Sequence, residues 1–184
     1  MVLGNWRSIL RIFFLFFLAL ASLHANFQDT VIIGGGPGAL SCALYLSRAN
    51  LEAYVLEGGS PGGLIAQSHM VENWPGEIGI QGRKLAEKMR EQVLKSGGVL
   101  RKAEAISVDF TKKPYKITAK DLTTDQLFDI YANQVVIAMG TTPNFLGIPG
   151  EKTYFGRGVS NCAICDGRFF SGKAVANIGG GDSA

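Results

Sequence analysis

This 184-residue sequence contains few cysteines and histidines, and neither positive nor negative charges are in large excess. Its three cysteines are too few for a disulfide scaffold. Lys plus Arg total 18 against 15 for Asp plus Glu, and no basic run is present, which argues against nucleic acid as the main partner. Apolar residues make up 47% and charged residues 18%, so the chain can bury a core and is not a disordered tail. The length suits one domain, or one domain and part of a second.

The first 25 residues differ from the rest of the chain. A short basic stretch with Arg7 and Arg11 precedes an unbroken apolar run at residues 12–20, and small residues follow as far as Ala25. This pattern predicts a secretory signal segment cleaved after Ala25. A membrane anchor that contacts the bilayer through residues 9–23 and a misassigned start codon are the alternatives. The apolar run is short for a membrane span of ~20 residues, and no twin-arginine pair is present.

From residue 26 onward, strand and helix patterns alternate, which predicts an α/β fold. Glycine is abundant, with 24 residues, and many of these form clusters between the predicted elements. Residues 58–79 are expected to form a long irregular loop of functional importance. The predicted helices are residues 39–48 and 82–96, the latter with Leu85, Met89, Val93 and Leu94 facing inward. The predicted strands are residues 29–33, 51–56, 135–138 and 174–178, with an antiparallel meander at 105–110, 115–118 and 127–131.

The first glycine cluster is typical of a dinucleotide site. Gly34 and Gly36 follow a predicted strand, and Ala39 opens the next helix. The first glycine permits a tight turn, the second lets the backbone approach a pyrophosphate, and the helix N-terminus offers free N–H groups to it. Glu57 ends the following strand, where a carboxylate can accept hydrogen bonds from ribose hydroxyls. The alternative is a glycine-rich turn that binds no ligand.

A second glycine cluster lies at the end of the sequence. Gly179 and Gly181 again follow a predicted strand, but Ala184 is the final residue, so the helix that would complete a phosphate site is not in the sequence. We therefore interpret the chain as a fragment that ends in the beginning of a second dinucleotide domain. The expected organisation is a signal-like or anchor segment at 1–25, a first dinucleotide domain at 26–150, and the start of a second at 151–184.

A pair of cysteines lies between the two glycine clusters. Cys162 and Cys165 are separated by two residues, a spacing that can close a small disulfide or leave one sulfur as a thiolate near neutral pH. Asp166 follows directly and can exchange a proton with a cysteine, although a turn-capping role is the alternative. No metal site is predicted, because the other residues that could bind zinc, Cys42, His24 and His69, are scattered along the sequence. Cys42 is expected to be a packing residue.

These motifs, in this order, resemble those of bacterial thioredoxin reductases of the low-molecular-weight type. The resemblance runs from about Gln28 to the last residue. It implies an FAD-binding Rossmann-like domain, with a βαβ unit and an inserted antiparallel meander, followed by the start of a Rossmann NAD(P)-binding domain. It also implies that Cys165 faces the flavin, that Cys162 attacks thioredoxin, and that Asp166 is the acid. The motifs are Val31 to Gly38, Gly62-Gly63, Glu72-Asn73-Trp74-Pro75-Gly76, Cys162 to Gly167 and Gly179 to Ala184.

The same resemblance implies the cofactor contacts. Two departures from the usual pattern are Leu64, where a glutamine is common, and Met139, where a threonine is common. The implied FAD contacts are Gly34, Gly36, Pro37, Gly38, Ala39, Glu57, Gly62, Gly63, Asn73 and Gly140, and the implied NADPH contacts are Gly179, Gly181 and Ala184.

The predicted function is a flavin-dependent disulfide reductase that passes electrons from NADPH through FAD to a Cys162–Cys165 disulfide and on to thioredoxin. A related flavin dithiol oxidase or peroxiredoxin reductase, and an inactive remnant, are the alternatives. The complete protein is expected to be a homodimer. The resemblance favours the cytoplasm, whereas residues 1–25 favour export or membrane anchoring.

Overall fold

The computed structural model describes residues 26–142 and 144–181 of the chain. The hypotheses on residues 1–25 and on Ala184 therefore lie outside the described residues. Among the helices of the described part, none is long and apolar enough to span a bilayer.

A six-stranded mixed sheet forms the framework, in the order β3-β2-β1-β6-β5-β4. Strands β3, β2, β1 and β6 are parallel neighbours, and β6, β5 and β4 form an antiparallel meander. The predicted α/β fold with an inserted meander is confirmed. The strands are β1 (Phe27–Ile33), β2 (Ala53–Leu56), β3 (Val99–Arg101), β4 (Ala103–Asp109), β5 (Tyr115–Asp121) and β6 (Leu127–Ile137).

Strand β6 corrects the prediction of two separate strands at residues 127–131 and 135–138. It is one continuous strand of 11 residues. Its first half pairs antiparallel with β5, and its second half pairs parallel with β1, from Phe27 opposite Tyr131 to Ile33 opposite Ile137. The polar residues Asn133 and Gln134 separate the two predicted strands, and both lie exposed within the continuous strand. The meander is therefore joined to the parallel sheet by an unbroken backbone.

Helices α1 (Pro37–Arg48) and α2 (Gly82–Lys95) cover one face of the parallel strands. Ile32 and Leu40 meet Val93 in the core on this face, and Val31 and Ile33 lie in a second cluster on the other face, as the alternation of a strand requires. Fully burying each such side chain contributes about 1.5–3 kcal/mol. Leu94 was expected inside but is 54% exposed. It is one position beyond Val93, and therefore about 100° around the helix from the buried face.

Two further differences concern short segments. Strand β3 was not predicted; it follows Gly97-Gly98 and pairs with β2. Residues 174–178 were predicted to form a strand, but they are exposed and adopt no regular structure. A strand needs a neighbour for its backbone hydrogen bonds, and no described strand lies beside this segment. Elements outside the sheet region are α3 (Glu151–Tyr154), α4 (Ala163–Asp166), and the 3-10 helices Gly63–Gln67 and Gly167–Phe170.

Candidate active site

The first glycine turn lies where β1, β2 and β6 end together. The N–H of Gly34 donates to the carbonyl of Leu56 at 2.9 Å, and the N–H of Ala138 donates to that of Ile33 at 2.8 Å. A Cβ at Gly34 would lie 2.1 Å from the Ala138 oxygen, and the φ of Gly34 is +122°. Only glycine suits this close approach and this backbone conformation. The sequence prediction of a tight turn at Gly34 is therefore matched by the geometry.

A second glycine turn packs directly against the first. The N–H of Gly62 donates to the carbonyl of Gly35 at 2.8 Å. A Cβ at Gly63 would lie 3.0 Å from the Cα of Gly36, and both Gly62 and Gly63 have positive φ. The fold thus brings together two glycine pairs that are more than twenty positions apart in the sequence. We call the backbone of residues 34–36 and 62–63 the glycine cradle.

Helix α1 opens onto this cradle. Gly36 is its N-cap residue and Pro37 occupies the first turn, and no side chain caps the helix with a hydrogen bond. The first N–H groups of such a helix lack partners within the helix and attract anions. A Cβ at Gly36 would have a single neighbour within 4 Å, the Gly63 Cα at 3.9 Å. A Cβ at Gly38 would have no neighbour within that distance. Open space beside a helix N-terminus is typical of sites that bind phosphate groups.

Glu57 lies at the carboxyl end of β2, as predicted, but its carboxylate is already hydrogen-bonded to Arg90. Arg90 on α2 donates from Nε to Oε1 at 2.6 Å and from Nη2 to Oε2 at 2.9 Å. The Glu57 side chain is only 1% exposed, and that of Arg90 is 35% exposed. These hydrogen bonds to Glu57 raise the pKa of the Arg90 guanidinium above its ordinary value. Sequence reasoning missed Arg90, because nothing local connects positions 57 and 90.

The segment from Glu72 to Gly76 is anchored by its tryptophan. Trp74 is half-buried and packs against the core on the helix side of the sheet, whereas Asn73 is exposed. Leu64, which replaces the usual glutamine, is 46% exposed. Gly140, just beyond β6, has a φ of +70° and open space where a Cβ would lie. Trp74 thus fixes this segment to the core, and the flavin contacts of Asn73 and Gly140 stay predictions.

Cys162 and Cys165 form a disulfide at the start of α4, with their Cα atoms 5.2 Å apart. The Cys162 side chain is half-buried and Cys165 is exposed. The N–H of Cys165 donates to Cys162 Sγ at 3.2 Å. A hydrogen bond to a sulfur favours negative charge there, so this geometry favours Cys162 as the thiolate once the disulfide is reduced.

Asp166 is held beside the disulfide by a serine that sequence reasoning missed. Ser160 Oγ donates to Asp166 Oδ2 at 2.6 Å, and it accepts the N–H of Cys162 at 3.0 Å. The Ser160 hydroxyl therefore links the Asp166 carboxylate to the backbone of Cys162. The third cysteine, Cys42, lies half-buried on α1, where burial raises the pKa of its thiol.

The disulfide segment and the Trp74 segment meet through one ion pair. Arg168 Nη1 lies 3.7 Å from Glu72 Oε2, and the Arg168 side chain is exposed, so the pair contributes little energy. Gly179 and Gly181 are exposed and follow no described strand, so the described residues do not assemble the predicted nucleotide turn. The described part of the chain also contains no cluster of His, Cys, Asp and Glu suited to a metal ion.

A mixed α/β sheet with a glycine cradle, followed by a Cys-x-x-Cys disulfide, is typical of dinucleotide-binding disulfide oxidoreductases. The chain belongs to the pyridine nucleotide-disulphide oxidoreductase family, whose model matches residues 28–184. It is 45% identical over 166 residues to the bifunctional thioredoxin reductase/thioredoxin of Mycobacterium leprae, and 37% identical over 163 residues to a glucosaminate ammonia-lyase of Pseudomonas fluorescens. These matches cover 89% and 88% of this chain, but 35% and 49% of the relatives.

A solved structure with the same fold is the thioredoxin reductase from Giardia duodenalis. It has a TM-score of 0.70 and 34% sequence identity, over 78% of this chain and 45% of that chain. The chain therefore spans half or less of the length of the proteins named here.

Proposed function

We propose that the protein is a flavin-dependent disulfide reductase that passes electrons from NADPH through FAD to the Cys162–Cys165 disulfide and on to thioredoxin. The observation that carries this proposal is a disulfide at a Cys-x-x-Cys turn in the same chain as a glycine cradle that fits a pyrophosphate. The likeness to thioredoxin reductases of two organisms supports thioredoxin as the partner. FAD, when bound, would supply an electron pair from NADPH to the disulfide.

The residues of the chain account for the thiol steps. Reduction of the disulfide takes two electrons and two protons and leaves two thiols, and we assign the proton exchange to Asp166, whose carboxylate is linked through the Ser160 hydroxyl to the Cys162 backbone. The Cys162 thiolate then attacks a partner disulfide, forms a mixed disulfide, and releases one partner sulfur, which takes up a proton. The Cys165 thiolate next attacks Cys162 Sγ, which restores the intramolecular disulfide and releases the second partner thiol.

Trapping of the mixed disulfide tests these roles on the full chain without a nucleotide. The chain is reduced with dithiothreitol, desalted, and mixed with a thioredoxin that retains only its attacked cysteine, activated as a disulfide with thionitrobenzoate, so that no second thioredoxin thiol can reverse the adduct. Cys165→Ser should accumulate a Cys162–thioredoxin adduct, because the resolving sulfur is gone, whereas Cys162→Ser should not. Cys42→Ser is the matched control and should resolve the adduct as the unsubstituted chain does. An adduct that forms only with Cys162→Ser would reverse the roles, and no adduct with either variant would remove thioredoxin as the partner.

Flavin binding tests the other half of the proposal. Titration of FAD with the full chain should quench the flavin fluorescence as the cofactor enters the cradle. If the adduct forms with an oxidised peroxiredoxin or a small disulfide and not with thioredoxin, the redox disulfide stands and the partner changes. If FAD does not bind, the cradle has another ligand.

A further inference from the structure

The carboxylate expected to hold a ribose is covered by an arginine. Both Glu57 oxygens accept hydrogen bonds from Arg90, at 2.6 and 2.9 Å, and the Glu57 side chain is 1% exposed. A ribose hydroxyl has to come within about 2.5–3.0 Å of a carboxylate oxygen to donate to it. With Arg90 in this position, the Glu57 side chain presents almost no surface to a ligand hydroxyl.

Of the two partners, Arg90 is the one that can move. The N–H of Glu57 donates to the Arg101 carbonyl at 3.0 Å, between two strands of the sheet, which fixes its backbone. Arg90 instead extends from the surface of α2 with a third of its side chain exposed. It also borders a cavity of about 330 Å³ between α2 and the second glycine turn, which is lined by Ser60, Pro61, Gly63, Arg83 and others. A change of side-chain rotamer alone can take the guanidinium away from Glu57 toward this space.

We propose that Arg90 is a cover over the ribose acceptor: it holds the Glu57 carboxylate in the ligand-free chain, and it swings aside when FAD binds. This inference rests on the proposed function, because it takes FAD as the ligand of the glycine cradle. The guanidinium and the two ribose hydroxyls present the same kind of paired donors to one carboxylate. They therefore compete for Glu57, and the apparent affinity for FAD is reduced by the fraction of chains in the closed state.

The proposal makes stability and affinity change in opposite directions. Arg90→Met keeps the length of the side chain and removes its donors. Glu57 then loses its partner, so the ligand-free chain should unfold at a lower temperature. The carboxylate is also released for the ribose, so FAD should bind at least threefold more tightly. FMN, which has no adenosine ribose, should bind with unchanged affinity. A purely supporting role for Arg90 would lower stability and FAD affinity together.

The experiment uses the full chain, with flavin fluorescence for affinity and thermal unfolding for stability. Lys84→Met is the matched control, because Lys84 is exposed on the same helix, does not line this cavity and makes no ion pair in the described part of the chain. It should leave both quantities unchanged. If Arg90→Met does not fold, Arg90→Lys carries the test, since a lysine offers Glu57 one point charge instead of a fork. It should shift affinity in the same direction by a smaller factor.

An unchanged or weaker affinity for FAD in the Arg90 variant that folds would overturn the proposal, and so would an equal change for FMN. Failure of the proposed function has a different signature, because then neither the unsubstituted chain nor any variant binds FAD. If the unsubstituted chain binds FAD and the Arg90 variants bind it no more tightly, the proposed role of Arg90 is refuted and the proposed function stands.

Discussion

Two glycines of the cradle, Gly34 and Gly36, should respond in different ways to the same substitution. A methyl group at Gly34 would lie 2.1 Å from the Ala138 oxygen and 2.7 Å from its carbonyl carbon. A methyl group at Gly36 meets only the Gly63 Cα at 3.9 Å, which is an ordinary contact, and the backbone there is extended. Gly34 is therefore required by the fold, whereas Gly36 is required only if a ligand occupies the space beside it.

The geometry sets the size of each effect. For Gly34→Ala, a φ of +122° costs about 1–3 kcal/mol in a residue with a Cβ, and the overlap with backbone adds about 1–3 kcal/mol or more. The loss of about 2–6 kcal/mol is a large part of the total stability of a domain, about 5–15 kcal/mol. For Gly36→Ala, no strain is expected; the reduced freedom of the unfolded chain adds about 0.4–1 kcal/mol, and the loss of glycine at the N-cap of α1 removes a similar amount, so the stability should change little.

Urea unfolding and FAD titration, done on the same samples, check both expectations. Gly34→Ala should lower the unfolding midpoint sharply. Gly36→Ala should change the midpoint little and weaken FAD binding about tenfold or more, a change of ~1.4 kcal/mol, because the methyl group fills the place of the pyrophosphate. Gly38→Ala controls for the change of residue type in unfolding, since its Cβ has open space. A Gly34→Ala variant as stable as the original, or a Gly36→Ala variant that binds FAD equally well, would refute this reasoning.

Two other predictions concern the redox turn and the meander. Ser160→Ala removes the hydrogen bonds that join Asp166 to Cys162; it should slow mixed-disulfide formation severalfold without moving the unfolding midpoint, and Ser160→Thr should restore the rate. Backbone N–H groups and then Arg101 lower the pKa of Asp121, and Lys116 chiefly lowers that of Asp129. Because the folded pKa values lie below the unfolded value of about 3.9, these groups stabilise the fold above about pH 4, and their contribution is lost as the pH falls through the lowered values. The midpoint measured from pH 7 to pH 2 should show this loss, and Asp121→Asn should reduce it; an unaltered profile in that variant would contradict the assignment.

Local patterns were enough to predict the first glycine turn and its flanking elements. The apolar run before Gly34 and the small residues after it are a short-range signal, and β1 and α1 lie within two residues of the predicted bounds. Contacts over long sequence distances were not predictable in this way. The packing of Gly63 on Gly36 and the pairing of Arg90 with Glu57 depend on how α2 lies on the sheet, and no pattern around these residues indicates it.

Tertiary context also decided which apolar runs became strands. Residues 135–138 and 174–178 look similar in the sequence, yet within the described part of the chain only the first run lies beside a neighbouring strand, β1. The same context joined it to the preceding meander strand, because β6 pairs with a different neighbour in each half. Strand propensity describes a side chain that suits a pleated surface, and hydrogen bonds to a neighbour make the strand.

The shared strand β6 also imposes an order on folding. Its first half pairs with β5, which precedes it closely in the sequence, whereas its second half pairs with β1, about a hundred residues away. Closing so long a loop costs more chain entropy than closing a hairpin, so we expect the meander to form first and to present the rest of β6 as a template for β1. The turn at Gly34, which needs both β1 and Ala138 in place, would then form late, so ligand binding at the cradle should report on completed folding.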